Sequence, residues 1–251
     1  MGKDIFMNKS YMIRFCYDGT NYSGYQRQAN SDTVGEHILS ALTKIFGGVY
    51  ELAGCSRTDS GVHALDYCAS FKSEKDIDPQ TVIKAMNSNL PKDISVFDCR
   101  YTDNEFHARY SVVSKEYVYL IYNGKVRSPF YDRYVYFYPY TMDINKLSEA
   151  ASVFIGRKDF KSFMAAGGKI SDTVRTVIKS EIVQRGDLVE YHVAADGFLY
   201  NMVRIMTGTL INVAQNKISV SRINDIINER SRESAGFTAP AKGLFLFKVN
   251  Y

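Results

Sequence analysis

The sequence predicts an α+β fold: two ferredoxin-like-derived halves with antiparallel sheets, joined around a central cleft, with helices on the outer face. Three observations carry this. Through Tyr101, segments of two-residue and helical apolar period follow one another in the order β, α, β, β, α, β, which is the split βαβ arrangement. The remaining chain opens again on a strand and runs through a similar order, as a duplication would. No stretch rich in Pro, Gly and Ser separates the halves, so they are expected to pack tightly. The boundary falls near Asp103 to Phe106, giving residues 1–104 and 105–251.

Taken in order, Tyr11 to Tyr17 alternates with apolar residues and reads as a strand closed by the turn Asp18-Gly19-Thr20. The polar loop from Asn21 to Gln28 follows, with aromatics, amides and Arg27 but no apolar period. It reads as a surface loop or as one that touches an RNA backbone. Val34, Ile38, Leu42 and Ile45 then make a helical stripe, with Thr33 and Glu36 as a capping box and Gly47-Gly48 as the stop. A strand leads into a bend at residues 54–64, and a second, Val62 to Phe71, leaves it. Asp78-Pro79 starts a helix whose Val82, Ile83 and Met86 face inward, and Ile94 to Tyr101 is the next strand.

In the second half, Arg109 to Tyr122 reads as a long strand, and a Tyr-rich segment runs from Tyr131 to Tyr140. Period two puts the rings of Tyr134, Tyr136, Tyr138 and Tyr140 on one face. Packing against a helix or a partner subunit fits that row better than stacking on RNA. Ile144, Leu147, Ala151 and Phe154 mark a helix stopped by Gly156. Val174 to Val183 and Val189 to Ala195 form a hairpin around Gly186-Asp187. Helices at Phe198 to Ala214 and Ser221 to Glu229 and a strand at Gly243 to Val249 finish the chain.

Composition excludes several classes. No apolar run approaches the roughly 18 residues of a membrane span, and Met1 to Ser10 lacks a secretory pattern. Cytoplasmic residence without a membrane partner is the expectation. Cys16, Cys55, Cys68 and Cys99 contain no Cys-x-x-Cys pair, and the four histidines form no close pair, so reduced thiols and no metal are expected. A net charge of +4 allows, without requiring, a clustered patch for nucleic acid.

The bend Gly54-Cys55-Ser56-Arg57-Thr58-Asp59-Ser60-Gly61-Val62-His63-Ala64 is where chemistry is expected. In extended backbone Arg57 and Asp59 point to one face, and a guanidinium nearby keeps a carboxylate ionised. The same residues also suit an ordinary Asp-Ser-Gly turn. Arg57 to Ala64 resembles the signature of the TruA family of tRNA pseudouridine synthases, and the resemblance extends from Tyr17-Asp18-Gly19 through Asn87 to Pro91 to Ala239 to Leu244.

The resemblance implies an isomerase that converts uridine to pseudouridine in the anticodon stem-loop of tRNA, without a cofactor and as a homodimer. It makes Asp59 the catalytic residue, Arg57 and Arg204 its supporting charges, and Tyr117 the contact to the target base. Leu244 would line the pocket, and Phe106, His107 and Arg109 would bind substrate. Arg27, Gln28, Gly168 and Lys169 are possible RNA contacts. The chain departs from the family pattern at Tyr25, Ser56, Ser60, Asp66, Tyr67 and Lys115-Glu116. Two other readings stand beside this one: a non-catalytic RNA-binding module with base-stacking aromatics, and a nucleoside hydrolase with Asp66 or Glu116 as a second carboxylate.

Overall fold

The computed structural model describes residues 9–168 and 170–251. They form an α+β fold of ten strands and five α-helices, divided into two units. The first comprises the described residues through Val113 together with Lys248–Tyr251, and the second Ser114–Phe247.

The first unit contains β1 (Lys9–Tyr17), α1 (Val34–Phe46), β2 (Tyr50–Gly54), β3 (His63–Ser73), α2 (Pro79–Asn89) and β4 (Ile94–Tyr101). Its strands lie in the order β4-β1-β3-β2, with β1–β3, β1–β4 and β2–β3 antiparallel. On β1 the residues Tyr11, Ile13, Phe15 and Tyr17 are all buried, as the two-residue period requires. Tyr11 stacks on Phe71 with centroids 5.0 Å apart and meets Phe46 of α1 edge-on at 5.3 Å. Each such side chain contributes roughly 1.5–3 kcal/mol by leaving water.

Helix α2 is capped as expected, with Pro79 at its first position and the Asp78 carboxylate accepting from Thr81 N–H. Val82 and Met86 are buried, whereas Ile83 is half-buried. The capping box on α1 does not form. Among the described residues Thr33 makes no side-chain cap bond and its buried hydroxyl has no partner, while Glu36 is drawn to Arg27, Nε to Oε2 2.5 Å. Gly47 ends α1 at φ 78°, where it costs least.

The second unit contains β5 (Ser114–Tyr122), β6 (Tyr136–Phe137), α3 (Ile144–Ser152), β7 (Gly156–Asp159), β8 (Val174–Arg185), β9 (Leu188–Ala195), α4 (Met202–Ala214), α5 (Arg222–Glu229) and the start of β10 (Leu244–Asn250). The strand order is β10-β5-β9-β8-β7, with β6 parallel to β5 and the β5–β9, β8–β9 and β7–β8 pairs antiparallel. With β6, β7 and α5 set aside, sequence order and strand order match those of the first unit. That is the physical sense in which the second half repeats the first.

Three expectations are corrected here. The strand placed at Arg109 to Tyr122 begins only at Ser114, because Tyr110 N–H and Ser111 N–H both turn back to the carbonyl of His107. The Tyr-rich segment is strand only at Tyr136–Phe137, since Tyr134 N–H and Val135 N–H fold onto the carbonyl of Tyr131. Tyr138 is therefore buried and Tyr140 exposed, although the rings of Tyr136, Tyr138 and Tyr140 still touch in series at 6.3 and 5.3 Å. Helix α4 starts at Met202 rather than Phe198, because Asn201 adopts a left-handed φ of 59°. The short strand β7 went unforeseen. No helix among the described residues is long and apolar enough to cross a membrane.

Candidate active site

The bend between β2 and β3 is fixed by the loop that follows β1. Tyr17 hydroxyl and Thr58 Oγ1 share a hydrogen bond of 2.8 Å. Ser60 hydroxyl and Gly61 N–H both donate to the Tyr22 carbonyl, at 3.2 and 3.3 Å. Val62 N–H closes the turn on the Asp59 carbonyl at 3.1 Å, with Gly61 at φ 76°. Gly19 N–H donates to Nδ1 of the buried His63 at 3.0 Å.

The backbones meet so closely that side chains are excluded. A Cβ on Gly24 would stand 2.3 Å from the Thr58 carbonyl oxygen, and one on Gly19 would stand 2.0 Å from that of Val62. Asp59 is half-buried at the apex, on a backbone that cannot readily shift. Arg57 is exposed and forms no ion pair among the described residues, so it approaches Asp59 in sequence without binding its carboxylate.

In the second unit, Arg204 lies in the first turn of α4. Its Nε donates to the Ala239 carbonyl at 2.7 Å and its NH1 to Asn201 Oδ1 at 2.7 Å, while Ala239 N–H donates to the Arg204 carbonyl at 3.1 Å. A guanidinium among apolar neighbours is thereby held in one orientation. Tyr117 is buried on β5, its ring edge-on to Phe198 at 5.0 Å. Leu244 is buried at the start of β10.

The sequence profile of a family described as tRNA pseudouridine synthase matches residues 15–111 and 150–251. A tRNA pseudouridine synthase A from Thermoanaerobacter sp. (strain X514) is 42% identical, over 97% of this chain and 100% of the relative. A tRNA pseudouridine synthase A 2 from Clostridium tetani (strain Massachusetts / E88) is 41% identical, over 98% of this chain and 100% of the relative. The chain belongs to the tRNA pseudouridine synthase family. It is an isomerase of that family.

Three of the departures from the TruA pattern, Tyr25, Ser56 and Tyr67, are neighbours in space. Tyr25 and Tyr67 stack at 4.3 Å, and a Cβ on Gly54 would fall 2.3 Å from the first and 2.4 Å from the hydroxyl of the second. Tyr67 hydroxyl donates to the Ser56 carbonyl, three residues before Asp59, and Ser56 N–H reaches that hydroxyl at 3.4 Å. Burial drives both phenols well above their usual range, so both remain neutral. Asp66 forms a two-pronged pair with Arg14, one contact being Nε to Oδ1 at 2.7 Å, and accepts from Val249 N–H at 3.3 Å.

Other expected contacts hold local structure. His107 Nδ1 accepts from Arg109 N–H at 3.1 Å, and its ring lies 4.4 Å from that of Tyr110. Phe106 packs on Tyr251 at 5.0 Å, while Arg109 is exposed. Gln28 Nε2 donates to the Ser23 carbonyl at 3.1 Å, and Gly168 N–H to that of Ala165 at 3.3 Å. Lys169 lies outside the described residues. Glu116 is bound by Lys179 Nζ at 2.8 Å and lies 3.3 Å from His192 Nδ1. Among the described residues no cluster of His, Cys, Asp and Glu has metal-site geometry.

The sequence reading missed the supporting residues Tyr17, Gly24 and Tyr67. Gly19 in the turn after the first strand and Gly24 in the polar loop that follows were a legible sign of close backbone approach.

Proposed function

We propose that this chain isomerises uridine to pseudouridine in the anticodon stem-loop of tRNA, at about positions 38 to 40, with Asp59 as nucleophile. The observation that carries the reading is the clamped bend. Asp59 is half-buried on backbone locked by Tyr17, Tyr22 and Gly24, the preorganisation a single catalytic carboxylate needs. The reaction breaks the N1–C1′ bond and forms a C5–C1′ bond. C5 loses its proton, N1 gains one, and no electron is transferred to or from a second molecule. One carboxylate that adds and leaves therefore suffices, provided the detached base is kept from water.

In this reading Arg57 and Arg204 are the supporting charges and Tyr117 contacts the target base beside Leu244. Phe106, His107 and Arg109 bind substrate, with Arg27, Gln28, Gly168 and Lys169 as further RNA contacts. Residues 1–104 carry the nucleophile and residues 105–251 the base contact and Arg204. The chain acts in the cytoplasm as a homodimer.

The test uses tRNA tritiated at uridine C5, from which each turnover releases tritium. The wild-type chain is expected to release it and Asp59→Asn to release none. Tritium release by Asp59→Asn would end the assignment. The hydrolase reading predicts free uracil instead, but Asp66 and Glu116 are both committed to ion pairs. A purely RNA-binding module would bind tRNA and yield no product whatever residue stands at 59.

A further inference from the structure

Between β5 and β6 the chain forms an arm, residues 124–134, that no role above employs. Its base is fixed. Asn123 N–H donates to the Asp187 carbonyl at 2.7 Å, and Asn123 Nδ2 to the carbonyls of Tyr138 and Tyr140 at 2.6 and 2.7 Å. Tyr131 rests on Tyr122 with centroids 5.4 Å apart. Beyond that base the arm is exposed, and Phe130, following Pro129, is 87% exposed.

Charge decides what such a ring is for. The arm holds three basic residues, Lys125, Arg127 and Arg133, and one acid, Asp132. Lys242 takes Asp132, Nζ to Oδ1 3.1 Å. The three cations have no ion-pair partner among the described residues. A second copy of this chain packed arm to arm would bring like charges together. An exposed ring among unpaired cations is instead the arrangement that holds single-stranded nucleic acid, the ring stacking on a base and the cations meeting phosphates.

We propose that the arm is an RNA-binding surface on which Phe130 stacks on an unpaired base of the tRNA while Arg127 and Arg133 bind the flanking phosphates. This rests on the functional reading above for the identity of the RNA. Phe130→Ala should raise KM for tRNA about tenfold, the loss expected for one stacked base, with a smaller change in kcat. The double variant R127Q/R133Q should flatten the dependence of log affinity on log salt by about one to two.

A photoreactive benzoylphenylalanine at position 130 then identifies the occupant. Adducts to unpaired tRNA nucleotides support the proposal. Adducts confined to duplex RNA, adducts to a second copy of the chain, or an unchanged KM for Phe130→Ala overturn it. If the wild-type chain forms no pseudouridine, the functional reading fails, and the crosslink to tRNA still decides the arm.

Discussion

The ring of Tyr25 lies 4.3 Å from that of Tyr67 and 27° from parallel, and the Tyr67 hydroxyl donates to the Ser56 carbonyl beneath the Asp59 bend. Gly54 is the residue that leaves room for both. Two positions 42 residues apart thus act as one support for the backbone of the Asp59 bend.

Removing either ring leaves a void under the bend. Tyr25→Ala and Tyr67→Ala should each cost about 3–5 kcal/mol of stability. The double variant should cost less than the sum by roughly 0.5–1.5 kcal/mol, the worth of an aromatic pair. Tyr67→Phe separates packing from hydrogen bonding and should cost about 1 kcal/mol. Urea unfolding of the four variants checks this, and strict additivity would show that the rings are not coupled.

Gly24→Ala tests the clamp directly. A Cβ there would stand 2.3 Å from the Thr58 carbonyl oxygen, at a φ of 88° that alanine avoids. Backbone on both sides leaves no flexible end to yield, so a loss of at least about 2 kcal/mol is expected. Activity should fall further than stability accounts for, because the displaced atoms belong to the neighbour of Asp59. Thermal unfolding and tritium release, measured below the variant's melting range, separate the two effects.

Arg204 offers a different split. Its Nε and NH1 are held by Ala239 and Asn201, a two-point grip that a lysine cannot reproduce. Arg204→Lys should retain the charge and lose the orientation. A fall in kcat of about a hundredfold is expected for both Arg204→Lys and Arg204→Ala if orientation matters as it does for fixed transition-state donors. Only a few degrees should be lost from Tm. Full activity in Arg204→Lys would reduce the residue to a diffuse positive charge.

These residues also mark what could be read in the sequence. The doubled β-α-β-β-α-β order was legible because periodicity reports which face of each element is buried, and the bend that carries Asp59 because its residues resemble a family signature. The support beneath it was not. Tyr25 and Tyr67 read in the sequence only as departures from the family pattern, and nothing in local sequence says that their two rings will stack. Tertiary contact likewise overrode the capping box: Glu36 has the right spacing from Thr33, but Arg27 on the preceding loop takes its carboxylate. Strand β7 escaped because Gly156–Asp159 is short, polar and carries no two-residue period.

The cysteines divide by burial. Cys55, Cys68 and Cys99 are buried and Cys16 is half-exposed. Burial pushes the thiol of Cys68 up to about 11 and that of Cys99 up to about 12. At pH 8 only about one molecule in a thousand then carries a Cys68 thiolate, the reactive form. A thiol reagent should therefore modify one residue, Cys16, in the native chain and all four in denaturant. Rapid native labelling of Cys68 or Cys99 would mean that the sheet opens locally.

Glu116 makes folding sensitive to acid. Burial alone would raise its pKa, but the hydrogen bond and charge of Lys179, with His192 beside them, outweigh that and hold the carboxyl below its ordinary value of 4.5. A carboxyl with a depressed folded pKa binds protons more readily in the unfolded chain. Its contribution is therefore present above the ordinary value and is lost as pH falls through the folded one. Lys179 also meets Glu181 at 3.0 Å, and His192 meets Glu190 at 2.9 Å, so neighbouring carboxylates share the same partners. Glu116→Gln should be less stable than the wild type near neutral pH, and the difference should shrink as pH falls below about 4.5. Urea midpoints across that range give the answer. A gap that stays constant with pH would mean that Glu116 contributes through packing rather than through its charge.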